Sequence, residues 1–356
     1  MSDIAVRAGE NAYELIMSGK LNPDRITTYV GPAVGPRWLV GSGFDLTLLT
    51  AGVLGNRRPV QLIGSSAGAL RFAAWIQPEP EKRYYQLLES YISMVLTHTD
   101  TPQNILGTLQ WVIDSYVEDS AVPFALASKK YRLSIIAARA KYLAASEMKL
   151  IQAFGLATAF ALNACNPSWL SAMFQRVVFH SGTMPPPMCL NGDFLGLALP
   201  LNEANFKSAL LASSAVPLAV AGVKNIFGAP RGVYRDGGLV DYHLNQHYGS
   251  MGRGDLVLMF HHEARLIPGW LDRRLGYRRP SPAMTKNLLM VHPTEEFVKR
   301  LPGGRIPTRE DFYEYAAHPP ERMKRWWEVV RASEHLGEEF LELLQGDKLR
   351  DAVTKL

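Results

Sequence analysis

Gly64, Ser65, Ser66, Ala67 and Gly68 spell Gly-x-Ser-x-Gly between an apolar run, Val60–Ile63, that suits a buried strand and a segment that suits a helix. In that setting the serine stands on a sharp turn with its hydroxyl presented to a substrate. Its neighbours must be small, because the turn strains the backbone and the substrate approaches closely. The start of the following helix points unpaired amides and a positive dipole end at the charge that builds on a carbonyl oxygen under attack. The bare pattern also describes an ordinary tight strand-to-helix turn. A second motif lies much later in the chain, where Asp236 stands immediately before Gly237 and Gly238 and supplies a carboxylate at a turn. By itself Asp-Gly-Gly is a common turn sequence.

The elements that must carry these residues alternate. Trp38, Leu39 and Val40 form a short apolar run feeding the turn Gly41, Ser42, Gly43, and a helical segment follows over Asp45–Leu54. Val60–Ile63 then leads into the serine turn. Strand, turn and helix repeated in this way imply an α/β chain with a mostly parallel sheet covered by helices on both faces. Asp3–Ser18 reads as a helix ended by Gly19, and amphipathic helices follow around Tyr84–Val95 and Ile105–Tyr116. Strand character returns at Tyr131–Ala138, Arg176–Phe179, Asp255–Phe260 and Leu288–Val291. From Thr308 onward the chain is charged and helical. Leu150–Cys165 is apolar nearly all round, the pattern of a buried core helix; a lid or docking helix at a lipid surface is the alternative.

Together with the segment Ala212, Ser213, Ser214, Ala215, Val216, Pro217, the two motifs resemble the patatin-like phospholipase family. That family carries a glycine-rich oxyanion loop, then G-x-S-x-G, then Ser-Ala-x-Pro, then D-G-G or D-G-A, and the four appear here in that order over roughly Trp38–Asn245. The resemblance implies a three-layer α/β/α patatin-like fold, placed over 31–294; the flanks lie outside the resemblance and are read from the residues themselves as a helical segment over 1–30 and a helical extension over 295–356. The resemblance also implies a Ser-Asp dyad without histidine. Ser66 would attack an ester carbonyl, and Asp236 would take its proton and later activate water against the acyl-enzyme. Gly64, Gly68, Gly237 and Gly238 would support the two turns. The oxyanion hole would be the amides of Gly41, Ser42, Gly43 and Phe44, with the amide after Ser66 as a further donor. A carboxylate with an ordinary pKa near 3.9 is a weak base for a serine, so the dyad would have to be buried and joined by a short hydrogen bond. One departure stands out: the family's loop carries a lysine or arginine before its last glycine, whereas Ser42, Gly43, Phe44, Asp45, Leu46, Thr47 contain no basic residue and put Phe44 where the family has glycine.

The expected activity is therefore hydrolysis of a lipid carboxylic ester, such as a glycerophospholipid, with no cofactor or metal. The altered loop leaves room for a non-catalytic or weakened lipid-binding or regulatory protein on the same fold. The order Ser66, Asp236, then His261, His262 or His292 also permits an ordinary α/β-hydrolase triad. Bulk properties narrow the partners. A formal charge of +5 on 356 residues does not call for nucleic acid and allows peripheral contact with a membrane. The segment Leu150–Cys165 is too short for a confident membrane span. Asp3, Glu10 and Glu14 break any signal-peptide pattern near the start, so the cytoplasm or its membrane surface is the expected address. Cys165 and Cys189, the only cysteines, supply no disulfide framework or zinc spacing. Oligomeric state is left open.

Overall fold

The alternation resolves into one sheet of eleven strands, seen in a computed structural model that describes residues 2–19, 21–190, 194–243, 246, 248, 254–345 and 348–356. Asn245, where the resemblance ends, lies outside the described residues. In chain order the strands are β1 (Ile4–Ala8), β2 (Ile26–Gly31), β3 (Val60–Ser65), β4 (Tyr131–Ala140), β5 (Phe174–His180), β6 (Leu197–Pro200), β7 (Val223–Lys224), β8 (Val233–Asp236), β9 (Leu256–Phe260), β10 (Leu288–Pro293) and β11 (Val353–Lys355). Their spatial order is β11-β1-β10-β9-β2-β3-β4-β5-β6, with β8 beside β4 and β7 beside β8. The central run from β10 to β4 is parallel. β9 and β10 are buried along their whole length, as parallel strands covered on both faces must be.

Helices cover both faces. α1 (Glu10–Met17), α2 (Ser42–Ala51), α3 (Ala67–Trp75), α4 (Pro80–Ser93), α5 (Pro102–Tyr116), α6 (Val122–Leu126), α7 (Lys149–Cys165) and α8 (Phe206–Ser213) come first. C-terminal helices Pro319–Ala332 and Glu334–Gln345 then pack onto α2. Successive strand residues face opposite ways. Tyr29 and Leu62 join the core under α2, α3 and α4, while Val30, Ile63 and Ile136 join a second core under α7. The result is a three-layer α/β/α arrangement with a helical C-terminal extension. Among the described residues no helix is long and apolar enough to cross a membrane.

Several expectations need correction. Asp3–Ser18 is not one helix: Ile4, Val6 and Ala8 point inward in alternation, and β1 is held between β10 and β11, with the helix starting at Glu10. The 1–30 stretch therefore supplies two strands of the sheet rather than a helical segment, and the 295–356 stretch returns a strand beside the first. Trp38–Val40 is no strand either; it lies in a buried 3-10 helix, Gly35–Gly41, and the strand before the serine strand is β2. α7 is not buried all round, since Leu150 and Phe154 are exposed.

A charged cluster that the motifs did not announce ties α2, α3, α4 and β2 together. Asp45, wholly buried, takes 2.5 Å hydrogen bonds from the hydroxyls of Tyr29 and Tyr84 and a 2.6 Å ion pair from Arg71, itself buried.

Candidate active site

β4 is longer than β3, and that difference builds the site. β3 runs parallel to β4 and its pairing ends at Ser65↔Ile136. β8 takes up the same edge immediately beyond, running the other way, and its pairing ends at Asp236↔Ala137. The two strands thus finish on adjacent residues of β4, which delivers Ser66 and Asp236 to one point. The Ser66 hydroxyl donates a 2.7 Å hydrogen bond to Oδ2 of Asp236. Oδ1 of the same carboxylate accepts the Gly238 amide at 2.7 Å, which fixes the carboxylate plane so that Oδ2 faces the serine.

Ser66 has φ 53° and ψ −123°, in the left-handed half of backbone space that only glycine enters freely. Steric fit explains the glycines around it. A Cβ on Gly64 would sit 2.5 Å from the Ala69 backbone, and one on Gly68 would sit 1.9 Å from the carbonyl oxygen of Gly31. Side chains at Gly237 and Gly238 would strike the carbonyl of Ile136 and the side chains of Ala33 and Asp236. The Ala212–Pro217 segment anchors both partners. Ser213 Oγ accepts the Ser66 amide at 2.8 Å and donates to the Ile136 carbonyl, and the Asp236 amide donates to the Ala215 carbonyl.

Burial pushes the Asp236 carboxyl up to about 6, against the hydrogen bond from Ser66, the Gly238 amide and the charge of Arg309, all of which pull it down. A carboxylate in that range is a usable base near neutral pH, as one at its ordinary value is not.

Gly41, Ser42, Gly43 and Phe44 do not reach this point. Gly41 closes the 3-10 helix against the Phe260 ring, where a Cβ would sit 2.7 Å from it. Ser42, Gly43 and Phe44 open α2 inside the core. The Gly43 amide donates to Ser333 Oγ, and the Phe44 ring packs on Phe260 and Phe340. The loop that does reach Ser66 follows β2: Ala33, Val34, Gly35, Pro36 and Arg37 line the cleft beside Ser66 and Asp236. Among the described residues no hydrogen bond occupies the amides of Val34 and Gly35, nor that of Ala67 in the first turn of α3, while the Ala33 amide is taken by the Tyr242 carbonyl. Gly35 holds φ 55°. The basic residue absent from 42–47 is present here as Arg37. The signal that could have located this loop is the β-branched run Ile26, Thr27, Thr28, Val30 followed by Gly31, Gly35 and Arg37.

Two spaces meet at Ser66. One is the cleft just described, whose mouth also carries Arg273, Arg309 and Glu310. The other, roughly 650 Å³ including its opening, is apolar and lined by Leu70, Met94, Leu96, Ile105, Leu109 and Phe312.

The histidines lie elsewhere. His261 bonds through Nδ1 to the Glu263 carbonyl, and His292 bonds likewise to that of Pro293. His261 and His262 pack with His243 behind Tyr242, and burial holds all three below their ordinary pKa, His261 at about 4. None of His261, His262 and His292 hydrogen-bonds Ser66 or Asp236. Single replacement of His261, His262 or His292 by Ala is therefore expected to leave turnover of a small ester within roughly tenfold, against the loss of about 10⁴ that follows removal of a true triad base. Steady-state kinetics on folded variants decide between these, and collapse of any one of them would restore the histidine triad.

The architecture is an α/β/α chain with a strained serine hydrogen-bonded to a buried aspartate, at the junction of an arginine-bearing cleft and an apolar pocket. No known family model matches the chain, and no curated protein matches it.

Proposed function

We propose that the protein is a serine acyl hydrolase of the patatin-like kind, cleaving a carboxylic ester in a lipid with Ser66 as nucleophile and Asp236 as base. The observation that carries this reading is the 2.7 Å hydrogen bond from a strained serine to an aspartate whose pKa burial has raised to about 6.

The chemistry follows from the positions. The Ser66 hydroxyl attacks the ester carbonyl as its proton passes to Oδ2 of Asp236. The oxygen that gains charge is met by the Ala67 amide and by the amides of Val34 and Gly35, which take the role first expected of Gly41–Phe44. Collapse releases the alcohol with the proton held by Asp236 and leaves an acyl-Ser66 ester. A water then gives a proton to Asp236 as it attacks the acyl carbonyl, and collapse breaks the bond to Ser66 Oγ, which takes that proton back from Asp236 as the carboxylic acid leaves. The apolar pocket suits the acyl chain. The mouth with Arg37, Arg273 and Arg309 suits an anionic polar head, as in a glycerophospholipid. The residues whose departure favours a weakened lipid-binding protein, Gly41–Phe44, lie in the core and not beside Ser66, which supports the catalytic reading.

A fluorophosphonate reports on the nucleophile without a guess about substrate, and the wild-type protein is expected to label at Ser66. The base must be ionised to work, so activity is expected to fall about tenfold per pH unit below a folded-state value near 6 and to be level above it. A protein that does not label, or a pH profile with no acid limb between about 5 and 7, would overturn the dyad.

A further inference from the structure

α7 is apolar on both faces: Leu156 and Ala159 enter the core, and a second apolar stripe is left outside. A helix on a protein surface ordinarily turns its apolar stripe inward and its polar residues to water. Here the polar residues Gln152 and Asn163 are buried, 4% and 3% exposed, while Leu150 and Phe154 are 87% and 66% exposed. Both buried amides are used to hold neighbours. Gln152 donates to the Ser146 carbonyl and accepts the Leu218 amide, and Asn163 donates to Asp272. The outer stripe Leu150, Phe154, Ala157, Ala161 contains no charge, and the only charged residue of the helix is Lys149 at its start. Tyr142, Leu143 and Met148, just before the helix, are exposed as well.

The inward contacts tie the helix to segments that continue into the site. Leu218, held by Gln152, follows Val216 and Pro217, which line the cleft at Ser66; Asp272, held by Asn163, lies between Trp270 and Arg273, which line its mouth. α7 therefore braces two segments whose neighbouring residues line the cleft. Along 141–149 the free charge has one sign: Lys141 and Lys149 stand at the N-terminal end of the stripe, and Glu147, the only acidic residue between them, is paired with Arg235 at 2.8 Å and accepts the Gly222 amide.

We propose that the outer face of α7, with Tyr142, Leu143 and Met148, is the surface by which the protein docks on an anionic lipid bilayer. An apolar stripe with lysines at one end matches a layer of acyl chains under anionic head groups. A second copy as the occupant is an outcome that the test below separates from the bilayer. The docking does not rest on the proposed hydrolysis, since binding itself requires no turnover; that reading adds only that the bilayer would hold the acyl ester.

The test uses the full chain carrying Ser66→Ala, so that vesicles stay intact, in flotation with phosphatidylcholine vesicles with and without phosphatidylserine. The protein is expected to float with the vesicles, more strongly with the anionic ones. Leu150→Ser combined with Phe154→Ser is expected to lower partitioning at least about tenfold with an unchanged melting temperature, because both side chains already face water in the folded chain. Lys149→Glu is expected to lower binding about fivefold on the anionic vesicles and little on the neutral ones. Phe124→Ser, which removes another exposed ring on α6 at the opposite end of β4, is expected to float as the parent does. The proposal is overturned by a parent protein that floats with neither vesicle, by a double variant that floats as well as the parent, or by a solution dimer that the double variant splits. Fluorophosphonate labelling of the wild-type chain judges the hydrolase reading separately, so either can fail alone.

Discussion

Ser66→Ala and Asp236→Asn are each expected to abolish ester hydrolysis, by about 10⁴-fold or more, because each removes half of one proton-transfer unit. Their effects on stability are expected to differ. The Asp236 carboxyl has a folded-state pKa near 6 against an ordinary value of 3.8, so the fold binds its proton more tightly than the unfolded chain does. Stability from this group is complete below 3.8 and is lost as pH rises through about 6. The difference is worth at most about 3 kcal/mol above that window. An asparagine carries no charge to bury, can still accept the Gly238 amide, and can donate to Ser66. Asp236→Asn is therefore expected to melt higher than wild type at pH 8, with the gap closing near pH 4. Thermal melts across that range, beside labelling and turnover assays, check both halves. Retained labelling in Ser66→Ala would remove the assignment of the nucleophile, and a pH-independent gap would show that Asp236 is not held at a raised pKa.

The second large effect concerns stability alone. Arg71→Met is expected to cost about 3–5 kcal/mol, since it leaves the Asp45 carboxylate buried with only the two tyrosine hydroxyls to satisfy it. Adding Asp45→Leu to Arg71→Met is expected to recover much of that loss, because an apolar pair of similar volume leaves no unpaired charge. Denaturant melts of the two single variants and the double variant give the coupling directly. If Arg71→Met falls within about 0.5 kcal/mol of wild type, the cluster does not tie α2, α3, α4 and β2 together as described.

Some of this molecule is written in short stretches of chain. The Gly-x-Ser-x-Gly turn is legible because its constraint is local: Gly64 must clear a backbone atom of Ala69, five residues on. Buried parallel strands such as Leu256–Phe260 and Leu288–Pro293 are legible because a segment covered on both faces is apolar throughout. Other features depend on what lies across the fold. Gly41, Ser42 and Gly43 have the composition of a phosphate or oxyanion turn, yet Gly43 is small because the Ser333 backbone presses on it from the C-terminal helices. The loop that meets Ser66 carries fewer glycines; the β-branched run before it marks a strand, but that this strand ends at Gly31 directly against Gly68 is seen only in the fold. Ile4–Ala8 has an alternation that fits a strand and apolar spacing that fits a helix, and the open edge of β10 decides for the strand. The composition of α7 gives no hint of which face is inward, because Gln152 and Asn163 turn inward only to hold Leu218 and Asp272.

What the sequence determined by itself was the α/β class, the serine turn and the carboxylate before two glycines, since each rests on periodicity or on contacts between residues close in the chain. That the serine and the aspartate meet was decided by the tertiary structure alone. β4 outruns β3, β8 fills the remaining edge in the opposite direction, and two strands far apart in sequence end on Ile136 and Ala137. Pairing across a sheet depends on which edge is left open when the rest of the chain has folded, and no local pattern records that.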